Sequence, residues 1–137
     1  MTSSQLTVSL PFPTAKLRPN ESKRMGGHWA HIGAVKDYRD LAKILTLLAI
    51  RDDGQAIPDA PYKLSVTFHQ ADNRRRDLDN LMASIKCMID GIADATQIDD
   101  WYIKAINAEI GENRCTAEVV VRLETLECLE KLNGQAN

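Results

Sequence analysis

No apolar run in the 137 residues approaches the ~20 needed to span a bilayer. The opening Met1-Thr2-Ser3-Ser4-Gln5 lacks the basic and apolar regions of a signal peptide. Cys87, Cys115 and Cys128 are odd in number, widely spaced and form no C-x-x-C pair. A disulfide framework is therefore not expected, and reduced thiols in a cytoplasmic protein are. There is no Gly-rich phosphate loop and no Ser-His-Asp arrangement. His28 and His31 have no cysteine pair beside them, which argues against zinc. A basic surplus is missing too. The net charge of −2 weighs against a protein that holds nucleic acid by bulk charge alone.

What is present reads as one globular domain over residues 1–137, with 133–137 frayed; 44% of residues are hydrophobic and 26% charged. Charge is unevenly placed. Lys16, Arg18, Lys23 and Arg24 are nearly unopposed, whereas the C-terminal third is weighted to glutamate. Local field of this kind matters more than net charge for steering a phosphate chain.

Alternation at Leu6, Val8 and Leu10 predicts a strand ended by Pro11 and Pro13, and residues 14–31 read as an irregular loop. From Ile32 to Ile50 the period is helical, with Ala34, Tyr38, Leu41, Ile44, Leu45 and Leu48 on the expected buried stripe. Tyr62 to Gln70 is the clearest strand, and a single helix is expected from Asn80 to Ile92. Residues 101–110 and 115–123 read as a hairpin closed by Gly111-Glu112-Asn113-Arg114, with a bulge where apolar parity slips between Ile103 and Ile106. Leu123, Leu126, Leu129 and Leu132 suggest a short C-terminal helix. The order β-α-β-α-β-β predicts an α+β domain, a mixed sheet of about four strands with two main helices.

One stretch stands apart: Arg74-Arg75-Arg76-Asp77-Leu78-Asp79-Asn80-Leu81. Guanidinium groups attract phosphate, and clustered carboxylates bind a hard divalent cation. Asp77 and Asp79, one residue apart, project to the same side of an extended backbone. With one member of Asp99-Asp100 they carry enough charge for Mg²⁺ or Mn²⁺. A straight helix from Asp79 places Lys86 on the same face, about 10 Å along the axis, where it can neutralise charge on a phosphate. Arg74, Arg75, Arg76, Lys16, Lys23 and Arg24 are the candidate backbone-phosphate ligands. Plainer readings stand beside this one: Asp77 or Asp79 as a helix cap, Asp99-Asp100 as a turn, Lys86 paired with Asp90, and a solvated arginine loop.

The residues Arg75-Arg76-Asp77-Leu78-Asp79-Asn80-Leu81, then Lys86, Asp90-Gly91-Ile92 and Ile98-Asp99-Asp100, resemble the RusA family of Holliday-junction resolvases. Weaker echoes are Pro11-Phe12-Pro13 and Lys36-Asp37-Tyr38-Arg39. The resemblance implies a homodimeric, Mg²⁺-dependent endonuclease that nicks opposed strands of a four-way DNA junction, in recombination and repair. It implies Asp77, Asp79 and Asp100 as metal ligands, with Asp99 the alternative. The family's helix lysine falls here on Ala83, so Lys86 is its displaced counterpart. A non-catalytic DNA-binding or phage regulatory protein, and a general branched-DNA or flap nuclease, remain the competing expectations.

Overall fold

The computed structural model describes residues 5–17 and 27–127. Lys23, Arg24, Cys128 and most of the expected C-terminal helix, including Leu129 and Leu132, lie outside the described residues.

Four strands form one mixed sheet in the order β1-β4-β2-β3: β1 Gln5–Pro11, β2 Tyr62–His69, β3 Ile103–Ile110 and β4 Glu118–Thr125. Pairings β1/β4 and β2/β4 are antiparallel, and β2/β3 is parallel. Strand alternation drives the layering. Leu6, Val8 and Leu10, then Leu64, Val66 and Phe68, then Val119, Val121 and Leu123 are buried in one core, which α1 (Gly27–Arg51) and α3 (Lys86–Thr96) help to build. The result is the expected α+β domain.

The expected hairpin does not form. β2 lies between β3 and β4. β4 is apolar enough to be central, whereas β3 is exposed along most of its length and suits an edge. The connection crosses the end of β2, held there by Gly111 N–H to Phe68 O (2.9 Å) and Arg114 N–H to Gln70 O (2.9 Å). The expected irregularity in β3 is present: its register against β2 shifts opposite Ile103–Ala105.

α1 begins at Gly27, so Trp29 and His31 sit on a helix rather than in a loop. It ends at Asp52-Asp53-Gly54, with Gly54 at φ 69°. Its buried line is Tyr38, Ala42, Thr46 and Ala49, while Ile44 and Leu48 are exposed. The stripe is rotated because α1 and α3 approach closely through small groups, Gly91 lying against the Arg39 carbonyl and Ala42. The close seam leaves Ile44 and Leu48 outside, while Ala34 and Leu45 of the expected stripe pack partly buried against the core. Tyr38 anchors the helix by donating its hydroxyl to Pro11 O at 2.6 Å, and burial pushes its phenol well above the usual range.

The expected Asn80–Ile92 helix is two helices, α2 (Leu78–Ser84) and α3, separated at Ile85 (φ −109°, ψ 11°). Neither Pro nor Gly lies at the break. Ser84 Oγ donates to Leu81 O at 2.7 Å, the carbonyl that Ile85 N–H would take in a continuous helix. Ile85 N–H bonds Met82 O instead, at 3.2 Å. Ile85 is itself wholly buried.

Candidate nucleic-acid site

β2 delivers the chain into a turn organised by Asp72. Its Oδ1 accepts from Arg74 N–H at 3.0 Å and from Arg76 Nη1 at 2.9 Å. The Arg76 hydrogen bond is the main reason the Asp72 carboxyl is held below the usual carboxylate range. Arg76 Nη1 also reaches Gln70 Oε1 at 2.9 Å, and the guanidinium lies 5.3 Å from the Phe12 ring centre. Its Nε is buried with no acceptor among the described residues. Arg76, expected to grip phosphate, is thus engaged as a strut that holds the turn against β1. Arg74 and Arg75 are exposed. All three arginines, with Asp77, Asn80 and Leu81, line a polar cleft of about 340 Å³.

Asp77 stands at the N-cap of α2 in extended conformation, yet its side chain makes no cap hydrogen bond. Asp79 Oδ1 accepts the N–H of Asn80 at 3.0 Å. Both carboxylates are exposed, and neither joins an ion pair among the described residues. Asp77 thus takes the expected N-cap position, with Asp79 in the first turn, but without the side-chain hydrogen bond of a cap. That bond is made by Asp99, whose Oδ1 accepts Trp101 N–H at 2.9 Å and caps a 3₁₀ turn over Asp100–Tyr102. Asp100 is left for other partners. Its Oδ2 lies 3.9 Å from Lys86 Nζ, which also bonds Asp90 Oδ1 at 3.2 Å.

Lys86, Asp90, Ala83 and His31 share a second cleft of about 220 Å³. Asp79 stands one helical turn before Ala83. The candidate residues thus fall into two groups: the arginines, Asp77 and Asn80 line one cleft, and Lys86 and Asp90 line the other, with Asp100 3.9 Å from Lys86. Lys16 is exposed in a 3₁₀ turn, and its carbonyl accepts His31 Nδ1–H at 2.9 Å.

Mg²⁺ takes one or two protein carboxylates and fills its shell with water and phosphate oxygens. The donors of Asp77, Asp79 and Asp100 suit it chemically. No group of three or more His, Cys, Asp or Glu is gathered to hold a metal among the described residues. The three acids are therefore not seen meeting around one ion.

Sequence reasoning missed the strut formed by Gln70, Asp72 and Phe12, and it missed His31 beside Lys86. Asp72 four residues before Arg76 was the legible signal for the strut. The His31 placement depends on tertiary contacts with no local signature. Compared with known proteins, the sequence matches no family model and no curated protein.

Proposed function

We propose that this chain is a structure-selective DNA endonuclease that resolves four-way junctions by paired symmetric nicks, acting as a homodimer in recombination and repair. One observation carries the reading: the exposed Arg74 and Arg75 line one polar cleft with Asp77, a carboxylate that makes neither a cap hydrogen bond nor an ion pair among the described residues. Phosphate attraction and cation attraction are placed side by side, as phosphodiester hydrolysis requires. Arg74 and Arg75 bind backbone phosphates, with Lys16 extending the basic surface and Lys23 and Arg24 proposed for the same role from sequence. Lys86 neutralises charge developing on the phosphate. Asp77, Asp79 and Asp100 (Asp99 being committed to its turn) are the residues that would hold Mg²⁺, with Mn²⁺ a substitute. When bound, the ion would supply Lewis-acid polarisation of the phosphate and of the attacking water. Among the described residues no helix is long and apolar enough to cross a membrane, and a cytoplasmic location belongs to the same proposal.

A synthetic four-way junction with Mg²⁺ should yield paired symmetric nicks. Asp79→Asn should slow nicking by about a hundredfold or more, the worth of roughly 3 kcal/mol of barrier. Undiminished cutting by that variant would remove Asp79 from the site. A non-catalytic DNA-binding or phage regulatory protein is the second reading, favoured by the lack of a gathered three-acid group among the described residues. It predicts junction binding indifferent to metal and no nicks. Comparable cutting of Y-forms, flaps and junctions would instead identify a general branched-DNA nuclease.

A further inference from the structure

We infer that the outer edge of β3 is an interface with a second copy of this chain, the two β3 strands pairing antiparallel about a two-fold axis. The inference deepens the proposed reading, in which paired nicks need two equivalent sites, and it rests on that reading only for its purpose.

The sheet has two edges, and they are treated differently. On the β1 edge, Gln55 satisfies both backbone groups of Thr7: Oε1 accepts the N–H at 2.6 Å and Nε2 donates to the carbonyl at 2.9 Å. A side-chain amide thus occupies the place where a foreign strand would dock. β3 has no such guard among the described residues. Gly111 N–H points at Phe68 of β2, so the alternate residues Ile106, Ala108 and Ile110 aim their N–H and C=O groups outward. An unguarded row of this kind is a template for strand addition.

The side chains agree with the backbone. Ile106, Ala108 and Ile110 pair with Leu64, Val66 and Phe68 and therefore extend the core face to its rim. Ile106 is 49% exposed and Ile110 41%. Trp101 and Tyr102 are also exposed just before the strand, so four large apolar side chains crowd one edge within ten residues. α1 exposes apolar residues too, but its backbone is satisfied internally and asks for no partner strand.

Charge selects a second copy in antiparallel register. One end of the strand carries Lys104 and the other Glu109, with Glu112 two residues beyond the strand beside Arg114. Antiparallel self-pairing lays each Lys104 end beside the partner's glutamate end, twice. It also brings the isoleucines of the two copies together on one face.

Sedimentation equilibrium and amide hydrogen exchange on the full chain test the interface. The chain should sediment as two copies. The amides of Ile106, Ala108 and Ile110 should be as protected as those of Asn107 and Glu109. Ala108→Pro removes only an outward N–H, which an edge strand tolerates. Two hydrogen bonds vanish at the two-fold axis, so the dimer should weaken on the order of thirtyfold. Ile106→Lys should also dissociate it with circular dichroism unchanged, and it carries the test if the proline variant misfolds. Leu48→Lys on α1 should leave the dimer intact. The interface is overturned by a single-chain parent, by β3 variants that dimerise like the parent, or by freely exchanging edge amides. Protected edge amides at single-chain mass overturn it as well, since residues of the same chain would then cover the edge. A dimer that never nicks sinks the nuclease alone, and a monomer that nicks sinks the interface alone.

Discussion

Ser84→Ala should straighten the α2–α3 joint and move Lys86. The joint exists because the Ser84 hydroxyl holds the Leu81 carbonyl at 2.7 Å, leaving Ile85 N–H a longer bond to Met82 O. Without the hydroxyl, Leu81 O is available to Ile85 N–H in ordinary helical geometry. The lost hydrogen bond costs about 1 kcal/mol. The regained helical bond and the better helix propensity of alanine, worth about 0.5 kcal/mol, offset most of it. Net stability should change by less than about 1 kcal/mol in urea unfolding. The geometric effect is larger. Converting one 3₁₀-like step to an α step rotates α3 relative to α2 by roughly 20°. At the tip of a lysine that is a displacement of on the order of 2–3 Å. Lys86 Nζ lies only 3.9 Å from Asp100 Oδ2, so the contact should be lost. Backbone chemical shifts would place Ile85 in the helical region, and nicking should fall with little change in junction binding. If Ile85 keeps φ near −109° in the variant, burial of Ile85 rather than the serine sets the bend.

Gly91→Ala should destabilise the fold by about 1–2 kcal/mol: alanine's advantage of about 1 kcal/mol in a helix is outweighed by overpacking. The new Cβ would fall against the Arg39 carbonyl and 2.9 Å from Ala42 Cβ, and backbone cannot yield; a urea midpoint at or above the parent's would refute the close seam. Arg39 donates from Nε to Asp94 Oδ2 at 2.8 Å, and this bond chiefly holds the Asp94 carboxyl below 3.8. The pair's stabilisation should therefore be fully present above pH 3.8 and lost as pH falls through the lower folded value; in Arg39→Ala an NMR titration should return Asp94 towards the ordinary range.

Where pattern is local, the chain was readable. Period-two alternation located β1, β2 and β4, and the parity slip in β3 marked a real register shift. Asp99-Asp100 was legible as an acidic pair, but which acid is free depends on which one caps the turn, and Asp99 does. The failures are non-local. Turn residues between β3 and β4 suggested a hairpin, yet strand order follows from which strands can be buried on both sides, and β2 displaced β3 from beside β4. In α1 a helical wheel put the longest aliphatics inward. The contact with Gly91 favours the smallest side chains, a demand made by another helix. The bend at Ile85 turned on one serine hydroxyl choosing a backbone carbonyl over solvent, which no period reveals. It also invalidated the straight-helix extrapolation from Asp79 to Lys86.

That bend bears on how the acids could assemble. Lys86 sits between Asp90 and Asp100 with two thirds of its side chain exposed, and Asp100 is about half exposed. An ion pair so open to water contributes about 1 kcal/mol or less. A phosphate entering the second cleft would compete for the same ammonium through a shorter, charge-assisted hydrogen bond. On the proposed reading, substrate phosphate would draw Lys86 away from Asp100 and free that carboxylate, one of the residues that would hold the cation. Cation and DNA would then bind with positive coupling, each raising the other's affinity by the same factor. Lys86→Ala should abolish the phosphate side of this exchange while leaving the fold intact. Mg²⁺ affinity measured without DNA should rise in that variant, because Asp100 no longer has an ammonium beside it; an unchanged or weaker affinity would show that Asp100 is not a ligand held in reserve.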